Sequence, residues 1–154
     1  MRKPLGESDY RRGGLERIRE AELLLRAEFF AGSIYLAGRA AEGMLRAVIW
    51  VHDTDVRMGR QSLETGHDLR RMLGWVENLG LLGEREQREP FSAAVQQISR
   101  LWSNNMRFMP TERIEADWRR LGMVHNKRTL KQAAQAYYIA CSAVVKRSEV
   151  LCEL

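Results

Sequence analysis

SIYLAGRAAEGMLRAVI, residues 33–49, is small or apolar at almost every position yet carries three charges in its middle. At about 100° per residue, Arg39, Glu42 and Arg46 fall at i, i+3 and i+7 and form one polar stripe, while Ile34, Ala37, Ala41, Leu45 and Val48 line another face. Gly32, Ala37, Gly38, Ala40, Ala41 and Gly43 add a shallow surface for a neighbouring helix. Glycine inside a helix costs roughly 1 kcal/mol relative to alanine, so repeated glycines here predict close packing. The stretch predicts a helix over about 30–52, buried but not inert.

Outward from it the chain keeps a helical period. Upstream, LERIREAELLLRAEFF predicts a helix that begins after Gly13 and Gly14, with Leu15, Ile18, Ala21, Leu24 and Leu25 inward and residues 1–13 as a flexible N-terminus. Downstream, residues 53–66 (DTDVRMGRQSLETG) lack a clear period and read as a long loop, a common place for function. Further helices are predicted over about 67–79, 85–102 and 111–121, the last stopping at Gly122. Pro110 closes the irregular SNNMRFMP segment between them. Thr129 and Gln132 make a capping box, after which Ala133, Tyr137, Cys141, Val144, Ser148 and Leu151 keep to one face. The pattern predicts an all-α, up-and-down bundle of four to five helices.

Composition agrees. At 154 residues and 45% hydrophobic, the chain suffices for one buried core and is short for two domains, so residues 1–154 are expected to form a single domain. Only three prolines interrupt it, and β-branched runs of period two are absent. No apolar signal-like segment stands at the N-terminus and no apolar run approaches a membrane span, so the expected location is the cytoplasm, with no membrane partner. Cys141 and Cys152 lie about 16 Å apart along one predicted helix, beyond disulfide reach, and read as core thiols. Histidine and cysteine nowhere cluster at ligand spacing, so no metal and no other cofactor is expected.

The formal charge is +5, and of 25 basic residues 21 are arginine and four are lysine. Arginine suits phosphate and carboxylate through paired N–H donors, though a GC-rich genome produces the same bias without a functional cause. The densest positive patch is Arg119, Arg120, His125, Lys127, Arg128 and Lys131, with Trp118 and Trp102 in its vicinity. Phosphate contact with aromatic stacking is one reading, with Lys127, Arg128 and Lys131 as nucleic-acid contacts; a solvated loop before the last helix, with Trp118 facing inward, is the other. Glu42 likewise has two readings. A buried carboxylate needs a partner, which Arg39, Arg46 or Arg107 would supply as a structural ion pair. The same four residues would otherwise form a polar pocket for a nucleotide phosphate, an RNA backbone or a sensed small molecule.

YLAGRAAEGMLRAVI, the HDL tripeptide at His67–Leu69, Trp102 followed by Met106-Arg107-Phe108, and the Tyr137-containing final helix occur in an order that resembles a HEPN domain. The resemblance covers the chain from about Leu15 onward; Arg46 stands where lysine is common in that family, and Phe108 where tyrosine is. It implies a helical bundle, frequent homodimerisation, and work around RNA or a nucleotidyltransferase or effector partner in toxin–antitoxin and antiviral defence systems. HEPN ribonucleases are similar in carrying an Arg-x(4–6)-His motif before the last helix, with two copies meeting across a dimer. Arg120-Leu-Gly-Met-Val-His125 and Arg119 fit it, as do Arg46 with His52 and Arg60 with His67; position selects Arg119, Arg120 and His125 as the catalytic candidates of a metal-independent endoribonuclease. The alternative that the resemblance carries is a non-catalytic module that dimerises and binds a protein partner.

Overall fold

Every regular element in residues 3–63 and 66–154, which the computed structural model describes, is helical. The order is α1 (Glu7–Arg26), α2 (Phe30–His52), the single turn α3 (Thr54–Arg57), α4 (Leu69–Asn78), α5 (Arg85–Leu101), a 3-10 turn (Asn104–Phe108), α6 (Thr111–Arg120) and α7 (Leu130–Cys152). The all-α bundle expected from the periodicity is present, with α1, α2, α5 and α7 as its long members.

Helix α2 is the axis. It packs against α1, α4 and α7, and Ile34, Leu45, Val48 and Ile49 are buried completely or nearly so. Its small residues are used one by one. A Cβ at Gly38 would stand 2.2 Å from the Trp102 indole, so Trp102 seats directly on the α2 backbone and its Nε1 donates to the Tyr35 carbonyl at 3.1 Å. A Cβ at Gly43 would meet the Tyr10 carbonyl oxygen at 3.2 Å, and one at Gly14 would meet Met44 at 2.9 Å. The two helices cross in near-backbone contact at Gly14 and Gly43.

That crossing corrects the expected start of α1. Gly13 and Gly14 do not break the helix; they lie inside it, and residues 7–13 of the segment expected to be flexible are helical. The Gly6 N–H donates to the Asp9 carboxylate at 3.1 Å, closing the first turn. At Gly14 the penalty glycine carries in a helix is offset by the close approach it permits.

The last helix begins as its capping box requires. The Thr129 hydroxyl accepts the Gln132 N–H at 3.2 Å and the Gln132 side chain accepts the Thr129 N–H at 3.0 Å. α7 runs antiparallel to α1: Lys131 pairs with Glu28 at 3.2 Å at one end, Tyr138 donates to Glu22 at 3.3 Å in the middle, and Arg11 pairs with Glu149 at 3.8 Å at the other. Cys141 is buried and Cys152 half-buried, both free; burial pushes both thiols up, Cys152 to about 11. From α6, Trp118 is fully buried, donates to the Leu101 carbonyl at 3.1 Å and packs on Tyr137 with ring centroids 5.3 Å apart. No helix among the described residues is long and apolar enough to cross a membrane.

The 53–66 segment is not wholly irregular. Asp53 accepts the Asp55 and Val56 N–H groups to cap α3, and Trp75 of α4 donates to its other oxygen at 2.7 Å. Residues 64 and 65 lie outside the described set. Asp68 then caps α4 by accepting the Arg70 and Arg71 N–H groups, so α4 starts at Leu69, two residues after the expected His67.

Candidate functional site

Three of the four stripe residues meet on the α2 surface. Glu42, only 4% exposed, accepts from Arg46 Nε at 3.0 Å, one turn on, and faces Arg39 Nη1 more loosely at 3.4 Å. Arg46, 8% exposed, also donates from Nη1 to the Leu63 carbonyl at 2.8 Å and lies 5.9 Å over the Tyr10 ring. It therefore ties α2 to α1 and to the loop between α3 and α4. A buried carboxylate shared by two guanidiniums keeps its charge matched within hydrogen-bond distance, the condition for holding an ion there at tolerable cost.

The fourth member comes from outside the helix. His67 Nδ1 lies 2.8 Å from Glu42 Oε1. Gly66 and His67 both adopt left-handed backbone, with φ of 60° and 66°, uncommon for a residue with a side chain. This double turn carries the imidazole back over α2 before Asp68 starts α4. Glu42 is flanked by Arg39 and Arg46 and acts as an acceptor, so Nδ1 is the donor in this contact, and Nε2 is the nitrogen left to work on something else. The 3.3 Å separation between Arg39 Nη1 and His67 Nδ1 is thus proximity of two donors on one carboxylate. The His67 side chain is 40% exposed and that of Arg39 36%, so the imidazole and one guanidinium reach solvent from a buried anionic base.

A cleft of about 410 Å³ adjoins this cluster between α1 and α2, with Tyr10, Arg17, Tyr35 and Arg39 in its walls. Chemically, the arrangement offers an imidazole oriented by a carboxylate and an adjacent cation, the elements of proton transfer beside an anionic group, and the cleft meets the cluster through Arg39, Glu42 and Arg46 rather than through His67.

The fourth stripe residue, Arg107, is elsewhere. It is exposed and lies over the Phe108 ring, 4.6 Å from its centroid. The basic end of the molecule is organised differently again. Arg119 pairs with Glu115 at 3.5 Å, and Arg120 with Asp117, which also holds Arg113 at 3.4 Å. His125 sits exposed in a tight turn: its N–H and carbonyl pair with those of Arg128 at 3.0 Å each, and its Nδ1 accepts the Lys127 N–H at 3.2 Å. Among the described residues, no contact joins Arg119 or Arg120 to His125. Lys127 is exposed, Arg128 half-buried, and Lys131 pairs with Glu28. Trp118 and Trp102, 0% and 6% exposed, are core residues with no face to offer a base beside this patch. The remaining histidine, His52, donates from Nε2 to the Leu151 carbonyl at 2.7 Å.

His67 is the member of this cluster that the sequence pattern places at a helix start. Its signal was the histidine directly after a glycine and before a capping aspartate, which marks a turn but not what the ring will touch 25 residues back. Among the described residues no group of three or more His, Cys, Asp or Glu is placed to hold a metal ion. In comparison with known proteins, no family model, curated protein or solved structure matches the chain.

Proposed function

We propose that the chain is a HEPN-like domain that acts on RNA in a defence or toxin–antitoxin setting, as a metal-independent endoribonuclease with Glu42, His67 and Arg39 at its working centre. The observation that carries this reading is the 2.8 Å contact from His67 Nδ1 to buried Glu42, which orients the ring and frees Nε2 beside a half-exposed guanidinium. In the reaction, Nε2 takes the proton of a ribose 2′-hydroxyl and the 2′-oxygen attacks the adjacent phosphorus. The P–O5′ bond breaks, the 5′-oxygen takes a proton from solvent, and a 2′,3′-cyclic phosphate remains. Arg39 offsets the charge that builds on the phosphoryl oxygens. Arg46 holds the carboxylate in place and Gly66 holds the ring over it. The basic end at Arg119 and Arg120 becomes a surface for RNA backbone, with Lys127, Arg128 and Lys131, rather than the place of cleavage.

A second reading, a non-catalytic module that dimerises and binds a protein partner such as a nucleotidyltransferase or a larger effector, has its own observation. Ile139 and Val150, 67% and 50% exposed, share the outer face of α7 with Ala143, and Ala143 borders an apolar groove of about 210 Å³ against Pro90, Phe91 and Ala94 of α5. Incubating the purified protein with total RNA in chelator separates the readings. Cleavage that His67→Ala abolishes and His125→Ala spares supports the α2 centre; the reverse pattern supports the basic end; no cleavage by the wild type supports the binding module.

A further inference from the structure

We infer that the cleft between α1 and α2 is the seat of one nucleotide of a single-stranded RNA, its base against the tyrosine rings and its phosphate against Arg39 and Arg17. The inference rests on the reading of the Glu42 cluster as a centre that acts on RNA, and supplies the substrate contact which that centre lacks.

The walls have the composition such a unit needs. Tyr10 and Tyr35 are both half-buried and both line the cleft, and each is steadied from elsewhere. Arg46 lies over Tyr10, while Trp102 stacks on Tyr35 with rings 6.3 Å apart and inclined by 20°. Rings held in advance lose little freedom when a base packs on them. The volume, about 410 Å³, falls in the usual range for small-ligand sites.

The charge is in place as well. Arg17, Arg39 and Arg46 line the cleft together with Asp9 and Glu42. Both carboxylates are already engaged: Asp9 by the Gly6 N–H at 3.1 Å, and Glu42 by Arg39, Arg46 and His67. Arg17 directs Nη2 to Glu16 and Glu20, at 3.1 and 2.9 Å, but its buried Nε has no hydrogen-bond partner. A buried donor left without an acceptor is rare in a folded protein; a turn of the Arg17 side chain would bring it to a phosphate oxygen in the cleft. Gly13 completes the site. A Cβ there would meet nothing within 4 Å, so the helix leaves open space along the cleft that a large side chain would fill.

The open wall makes the test clean, because the Cβ of a side chain placed at Gly13 meets no atom of the bundle within 4 Å. The probe is a fluorescein-labelled hexamer of 2′-O-methyl ribonucleotides, which lacks the hydroxyl needed for cleavage and so reports binding alone, by anisotropy. Gly13→Phe is expected to weaken binding about tenfold or more, the loss of one stacked base, with its melting temperature unchanged. Should Gly13→Phe not fold, Arg17→Met carries the test and is expected to weaken binding severalfold. Wild-type affinity in Gly13→Phe or, in its place, in Arg17→Met would overturn the assignment, as would loss of binding on Lys127→Ala/Lys131→Ala alone, or binding of 5′-AMP without binding of the hexamer. The cleavage reading fails separately: if His67→Ala still cuts RNA while Gly13→Phe has lost the hexamer, the cleft stands and the Glu42–His67 pair does not.

Discussion

The Glu42 cluster and the Arg120–His125 turn contain the same ingredients, arginines and a histidine within a short reach of carboxylates, and fold them into opposite arrangements. At Glu42 one buried carboxylate collects three partners from a helix and a distant loop. At the basic end each arginine leans on a carboxylate one turn away on its own helix, and the histidine hydrogen-bonds within its own turn. The difference teaches that spacing along the chain, which both regions satisfy, says less about a site than whether charges are taken out of water and shared between elements. Pairs of the second kind form on any exposed helix and are worth little.

The largest effect that would break or sharpen this contrast is on stability. Glu42→Ala leaves Arg46 buried without its carboxylate and is expected to cost about 3–5 kcal/mol in urea unfolding. Asp117→Asn frees Arg113 and Arg120 on an exposed face and is expected to cost under about 1 kcal/mol. Equal losses would erase the distinction. Salt sharpens it further: in 0.5 M NaCl, on the order of a 4 Å screening length, the cost of Asp117→Asn is expected to vanish while that of Glu42→Ala persists.

How much of this was legible in the sequence differs by element. The helices followed from the spacing of Ile34, Leu45 and Val48 and of Tyr137, Cys141 and Val144, because burial against one axis imposes a single period. α1 starts earlier than its Gly-Gly pair indicates, since such a pair signals a stop in isolation and the close packing of Gly14 against Gly43 is not visible along the chain. The Glu42–Arg46 pair was visible as i, i+4 on one helix. His67 was not, since two left-handed residues, not any period, decide where its ring lands. The motif before the last helix was legible as a spacing alone, which an arginine-rich chain meets repeatedly.

A smaller effect tests the brace on the far side of the His67 loop. Burial acts to raise the Asp53 carboxyl, but the Trp75 side chain and the Val56 and Asp55 N–H groups outweigh it and hold the group below its ordinary value. A folded-state value below the unfolded one means that the carboxylate contributes stability above about pH 4, its unfolded value, and loses it as pH falls through the folded one. Urea midpoints followed from pH 6 to pH 3 are expected to fall less in Asp53→Asn than in the wild type. Identical slopes would remove Asp53 from the support of the loop.

The most direct measurement is RNA cleavage in chelator by wild type, His67→Ala, His67→Gln and His125→Ala, each checked for an unchanged melting temperature. If the Glu42-bound imidazole is the proton acceptor, both His67 variants lose cleavage by at least about a hundredfold and His125→Ala keeps it. Undiminished cleavage by folded His67→Ala, or its loss in His125→Ala alone, would contradict a working centre on α2.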